Sequence, residues 1–243
     1  DVTGKTSTMI LRQYGTPDKI LRGHKKTMIE KISKASRKGL AKASERYEKL
    51  CAAANAAKTF GCQIDSIYFN IFLTLDLVEK LDSALDSILN RIRQLITFNK
   101  NEKFIQQIKL LNTIPGVGFL TAVTIMCEIG DFSAFRNPKQ LFAYFGLDPE
   151  VNESGKFVGT QLHMSKRGSR IARRAIFAVA LASIRTKRNG EGINPYLRKY
   201  YELKSGQKPK MVAIGAVMHK VCNIVFAVLR DEKAFELRSP EEH

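Results

Sequence analysis

Between residues 64 and 95 the aliphatic positions advance by alternating steps of three and four: Ile64, Ile67, Ile71, Thr74, Val78, Leu81, Leu85, Ile88, Ile92 and Leu95. This is a heptad seam with one polar member, Thr74. No Gly or Pro interrupts residues 62–111. The pattern therefore predicts a single helix of roughly 45 residues, about 65 Å long. Phe72, Leu75 and Leu77 widen the stripe beyond a two-stranded seam, towards a packed bundle. Such a face needs a partner. Either the preceding helix folds back on it or a second copy covers it, and the second copy is the preferred reading.

Upstream, residues 1–15 show little periodicity. Thr16-Pro17-Asp18 predicts a helix start, with Thr16 as N-cap and Pro17 in the first turn. Short helices follow over 18–22 and 25–35, and Gly39 separates them from another helix reaching about residue 57. Downstream, Gly130 ends a helix predicted over 121–129. Asn137-Pro138 opens one running to 144 or 145. The polar stretch 146–157 reads as a loop and 157–164 as an extended piece. Ser169 caps a helix to about 183, and Asn194-Pro195 opens one that Gly206 breaks. Residues 211–229 are apolar nearly all round, which predicts a core helix. The expected fold is mainly α: a long coiled-coil-like helix joined to a compact helical domain. Its parts are a basic helical segment (1–60), the heptad helix (61–110), a compact domain (111–235) and a tail (236–243).

Charge sharpens this outline. The 243 residues carry a formal +17, unevenly distributed. Residues 1–58 hold 14 Lys and Arg against 5 acids, and residues 161–220 hold 14 against 2. Both remaining segments are slightly acidic. Two basic blocks around a near-neutral middle point to a polyanionic partner, nucleic acid above all. The four Cys (51, 62, 127, 222) lack metal-ligand or disulfide spacing, and three lie in apolar sequence; they read as reduced thiols. The four His are scattered and define no metal site. No signal peptide is apparent, and the chain starts at Asp1 without Met, which suggests a fragment.

Three stretches carry candidate chemistry. Ile114-Pro115-Gly116-Val117-Gly118, set between two helices, resembles a helix-hairpin-helix motif. Gly116 and Gly118 would let backbone N–H groups at the next helix start face a phosphate without reading sequence. Asn152-Glu153-Ser154-Gly155-Lys156 places a hydroxyl among small residues beside a cation; taken alone, it reads as a turn. Lys166, Arg167, Arg170, Arg173 and Arg174 crowd one helix start. Their repulsion is relieved by anions between them.

From 111 to about 235 these features, with Glu128-Ile129-Gly130-Asp131, Gly146-Leu147-Asp148-Pro149, Ser165-Lys166-Arg167-Gly168-Ser169, Asn194-Pro195 and Lys208-Pro209-Lys210, resemble the C-terminal transposase domain of DEDD-type, bridge-RNA-guided insertion-sequence transposases. The Piv/MooV-type DNA invertases are related to them. The resemblance implies a DNA transposase or site-specific recombinase with Ser154 as nucleophile; Ser165 and Ser169 remain alternatives better suited to phosphate contact or capping. It implies DNA and a guide RNA as partners, a homo-oligomer (dimer or tetramer) and a cytoplasmic, nucleoid-associated setting in a bacterium or archaeon. It also implies Mg2+ bound by four acids of an N-terminal RuvC-like domain. No Asp-bearing strand of that kind precedes residue 64, so the chain is expected to lack a complete active site and to be inactive alone. Lys156, Lys166, Arg167, Arg170, Arg173 and Arg174 are the expected nucleic-acid contacts, with Gly116 and Gly118. The rival expectation is a non-catalytic nucleic-acid-binding and oligomerisation module.

Overall fold

A computed structural model describes residues 4–60, 65–150, 153–154, 157–158 and 163–237, with the backbone alone at Asp65 and at residues 153, 154, 157 and 158. Among the described residues the fold is mainly α, with eleven α-helices, one 3-10 turn and a ribbon of two short strands. The chain divides into two compact units, residues 1–91 and 92–243.

The first unit holds α1 (Lys5–Gln13), α2 (Pro17–Arg22), α3 (Lys25–Ser36), α4 (Leu40–Thr59) and most of α5 (Asp65–Thr97). The predicted start of α2 is present: the Thr16 hydroxyl accepts from the Lys19 amide with Pro17 in the first turn. Helix α1 was not expected from so weak a periodicity. It is fixed by tertiary contacts instead. Arg12, near its end, pairs with Asp76 (2.5 Å) and Glu79 (2.9 Å) of α5. Met28, Ile32, Ala43 and Ala54 form the buried apolar centre of α3 and α4.

Helix α5 corrects the long-helix expectation. It ends at Thr97, and a separate helix α6 (Glu102–Leu111) follows. Neither Gly nor Pro makes the break; two asparagines do. The Asn101 side chain accepts from the Phe104 amide at 3.0 Å and caps α6, and the Asn99 side chain accepts from the Asn101 amide at 2.8 Å. Short polar side chains that satisfy nearby N–H groups compete with helix continuation.

The second unit is built on α11 (Lys210–Asp231). Ten of its residues are buried, including Val217, Val221, Cys222 and Val225. By length and composition this helix could cross a membrane, yet more than half of its most apolar window is buried among α6, α8 (Pro138–Tyr144), α9 (Arg170–Ser183) and α10 (Pro195–Ser205). It is the core helix that its composition predicted. Helix α7 (Phe119–Ile129) begins two residues earlier than the spacing suggested and stops at Gly130, whose φ is +66°. Asn137, Ser169 and Asn194 cap α8, α9 and α10 through their side chains.

Two glycines set the closest backbone approach in this unit. Gly146 follows α8 with φ +66°. A Cβ on it would lie 2.8 Å from the Arg167 amide nitrogen, and a Cβ on Gly168 would overlap the carbonyl oxygen of Tyr144. Both obstacles are backbone, which cannot swing aside. Gly168→Ala should therefore lower the unfolding free energy by about 3 kcal/mol or more. Gly215→Ala, at a position on α11 with open space around an added Cβ, should raise it by roughly 0.5–1 kcal/mol. Urea unfolding of both variants checks the pair.

Candidate nucleic-acid interface

Residues 146–150 and 163–166, on either side of the serine stretch in sequence, are joined by a backbone ladder. The Lys166 amide donates to the Gly146 carbonyl (3.0 Å), Ser165 to Asp148 (2.8 Å) and Glu150 to His163 (2.7 Å). Further out, β1 (Glu153–Ser154) pairs antiparallel with β2 (Phe157–Val158), with Ser154 opposite Phe157. Ser154 thus lies in extended backbone. Its side chain, and Lys156, lie outside the described residues. Of the loop expected over 146–157, residues 151, 152, 155 and 156 also lie outside the described residues.

Side chains tie this ladder to the helices. The Ser165 hydroxyl donates to Asp148 Oδ1 at 2.6 Å. The Ser169 hydroxyl donates to Glu128 Oε2 at the end of α7, and accepts from the Ala172 amide as the cap of α9. Tyr144 Oη donates to the Glu128 carbonyl at 3.1 Å. Both alternative serines are therefore engaged in holding the fold. The anchors Glu128 and Asp148 had no signal in spacing alone, because their partners lie 41 and 17 residues away.

The five cations divide into two kinds. Arg173 points inward: its Nη1 donates to the carbonyls of Phe145 (3.0 Å) and Gly168 (3.3 Å). It clasps the end of α8 to the start of α9. Lys166, Arg167, Arg170 and Arg174 are exposed. Among the described residues no carboxylate forms an ion pair with any of them. The first turn of α9 holds no acid either. Unpaired cations here add to the positive end of the helix dipole, and an approaching anion is attracted by both. Lys166 has φ +54°, a left-handed conformation that is rare for a non-glycine residue; its ladder bond to Gly146 holds it there.

The turn between α6 and α7 is a second backbone feature on this unit. Gly116 has φ +96°, and a Cβ there would sit 2.8 Å from Ser183 Oγ. That hydroxyl donates to the Pro115 carbonyl at 2.9 Å, joining the turn to the end of α9. Gly118 is the N-cap of α7, is exposed and brings no side chain to take a first-turn N–H. Those amides have no intrahelical acceptor, as at any helix start.

His219 packs edge-on against Phe142, with ring centroids 4.6 Å apart. Burial pushes its imidazole below the usual histidine range, and Lys220 pushes the same way. A neutral packed ring is the result. Burial likewise raises the Cys222 thiol far above its ordinary value, in keeping with an inert core cysteine. Among the described residues no three His, Cys, Asp or Glu side chains gather where they could hold a metal ion.

The division among the arginines is measurable. Arg173→Ala removes two bonds from a charged donor to backbone carbonyls and should destabilise the chain by about 2–3 kcal/mol. Arg174→Ala should change stability by no more than about 0.5 kcal/mol. Thermal and urea unfolding of the two variants distinguish an inward clasp from an outward contact.

Comparison with known proteins gives this arrangement a context. Residues 108–202 match the family described as Transposase IS116/IS110/IS902. The pilin gene-inverting protein of Moraxella bovis is 30% identical over 177 residues, covering 72% of this chain and 52% of that protein. The IS110 uncharacterized 43.6 kDa protein of Streptomyces coelicolor is 24% identical over 235 residues, or 96% of this chain and 54% of that one. The transposase for insertion sequence element IS1111A of Coxiella burnetii is 26% identical over 188 residues, covering 75% and 50%. The chain spans about half the length of the curated relatives it matches. The turn between α6 and α7, α7 itself, the backbone ladder and the basic start of α9 all fall within residues 108–202, the span over which the chain is similar to the IS110-type transposase family.

Proposed function

We propose that this chain is the DNA-handling part of a transposase or site-specific recombinase, in which Ser154 is the nucleophile and Lys166, Arg167, Arg170 and Arg174 hold the DNA backbone. The observation that carries the reading is the set of exposed cations at the start of α9 that form no ion pair among the described residues, beside the backbone ladder that flanks Ser154 in sequence. The names of the relatives support it: one is a pilin gene-inverting protein and another is a transposase.

In the proposed step Ser154 Oγ attacks a DNA phosphorus. An Oγ–P bond forms, one P–O ester bond breaks, and the leaving oxygen takes up the proton that the serine gives away. One phosphodiester is exchanged for another, so the link can be reversed by a new DNA hydroxyl without an external energy source. The exposed cations, with Lys156, offset charge on the pentacoordinate phosphorus. Arg173 acts through the backbone it clasps. The amides beyond Gly116 and Gly118 take a neighbouring phosphate. Glu128 and Asp148 each hold a serine hydroxyl. Mg2+, like a guide RNA, enters this proposal only as the resemblance implies, through acids of a RuvC-like domain, and no step here is routed through it.

Exchange of DNA ends requires more than one copy, and α5 supplies a surface for pairing. Leu73, Leu77, Leu81, Leu85, Ile88 and Leu95 each leave half or more of their surface exposed on one helix. We assign this stripe to homo-oligomerisation. Leu81→Asp combined with Leu85→Asp should then reduce the particle mass to that of one chain in sedimentation equilibrium; an unchanged mass refutes the assignment.

DNA binding by the chain should weaken steeply with salt. The logarithm of affinity should fall with a slope of about −0.9 per phosphate contacted. Replacing Arg167 and Arg170 by Glu should shallow that slope by about 2 and lower affinity more than tenfold. Ser154→Ala should leave the binding isotherm unchanged and abolish strand exchange by a protein that also carries the metal-binding domain. Retained exchange overturns the nucleophile; salt-insensitive binding overturns the interface.

A further inference from the structure

Between α9 and α11 lies an open cleft of about 340 Å3. Its apolar lining is contributed by Met164, Phe177, Ile214 and Met218, and Met211 stands at one side, 66% exposed. Arg170, Arg173 and Arg174 form the polar edge, and of these Arg173 already donates to the Phe145 and Gly168 carbonyls. Gly215 also lines it, and a Cβ there would meet nothing within 4 Å. A surface of this kind is unusual in its chemistry. Three flexible thioethers and one aromatic ring make an adaptable, polarizable seat, and Arg170 and Arg174, which have no carboxylate partner among the described residues, border it directly.

Each possible occupant must satisfy both halves. A purely apolar helix would leave the arginines facing it unpaired and partly desolvated, which is unfavourable. A bare phosphate would use the arginines and leave the apolar seat wet. A nucleotide satisfies both, because a flat aromatic base carries an anionic phosphate at a fixed short distance. Methionine sulfur and ring edges make favourable contacts, and guanidinium groups bond phosphate bidentately. The cleft is also large enough for a single base. We infer that the α9–α11 cleft receives one unstacked nucleobase of the bound nucleic acid, while Arg170 and Arg174 bond the phosphate attached to it.

This inference rests on the proposed nucleic-acid interface and adds a base-binding seat to it. It gives Arg170 and Arg174 a double position, on the backbone and beside a base. Stacking of a base on a protein surface is largely indifferent to sequence, so the seat would anchor a distorted or single-stranded segment without dictating a target. It explains why Gly215, in the middle of a long core helix where glycine lowers helix stability, leaves space on this face.

Gly215→Phe tests the seat. The added ring fills open space and removes a helix-interior glycine, so the variant should fold and unfold no earlier than the parent. The probe is a set of single-stranded oligonucleotides with 5-iodouracil at one position in each, irradiated with the full chain and mapped by peptide mass spectrometry. Crosslinks to Phe177 or Met211 from one or two positions are expected. Gly215→Phe should remove them and lower affinity roughly 5- to 100-fold, the loss of one stacked base, while the salt slope stays the same. Gly215→Ala, which leaves the cleft open, should retain both. Salt-dependent binding with crosslinks only outside α9 and α11 overturns the base seat and leaves the interface standing. Absence of any binding overturns both. A Gly215→Phe chain with unchanged crosslinks and affinity but altered oligomeric mass shows that the cleft takes a protein partner instead, and also overturns the inference.

Discussion

The contact of Gly146 with Gly168 is the constraint on which the site depends. Two backbone segments, one leaving α8 and one entering α9, meet with no side chain between them. Four further bonds gather around that approach. Arg173 reaches the Phe145 and Gly168 carbonyls together, Ser169 reaches Glu128, and the Lys166 amide reaches the Gly146 carbonyl. A separation even one methyl wider would lengthen all of them. The result is a platform with a backbone ladder leading from it to residues 150 and 163 and a basic helix starting beside it. Phe145, Leu141 and Leu147 bury the underside of the platform in the core of the second unit.

Much of this was legible in the chain, for identifiable reasons. Caps are local, so Thr16, Asn137, Ser169 and Asn194 marked their helices within a residue or two. The core helix α11 was evident because an apolar surface all round has no other place in water. The long helix was overextended because its seam stops being enforced after Leu95. Beyond that point two asparagines decide, and a heptad count does not weigh them. Helix α1 was missed for the opposite reason: its support comes from Asp76 and Glu79, more than sixty residues along the chain.

The basic cluster shows the limit of composition most clearly. Five cations at one helix start look alike in sequence, and all five were expected to contact nucleic acid. The fold separates them. Arg173, one turn into α9, is turned to the carbonyls of the platform, while its neighbour Arg174 faces outward. Helical spacing could have suggested this, since Arg173 shares a face with the buried Ala172, Ile176 and Ala180 more nearly than Arg174 does. Spacing could not have named its acceptors, because backbone carbonyls carry no residue signature. The same holds for Ser165 and Ser169, whose hydroxyls are taken by acids far away in the chain.

These separations bear on how the proposed chemistry would be organised. A nucleophile that exchanges one phosphodiester for another gains little free energy from the reaction itself, so its precision has to come from where the strand is held. A clasp that is fully satisfied inside the protein supplies stiffness but no attraction. Cations that are unsatisfied supply attraction but repel one another, and are tolerable only on a support too rigid to relax away from them. Arg173 and its four exposed neighbours divide these two tasks. The internal bonds of the platform hold the exposed charges in place against their mutual repulsion, and the favourable way to relieve that repulsion is an anion laid across the start of α9.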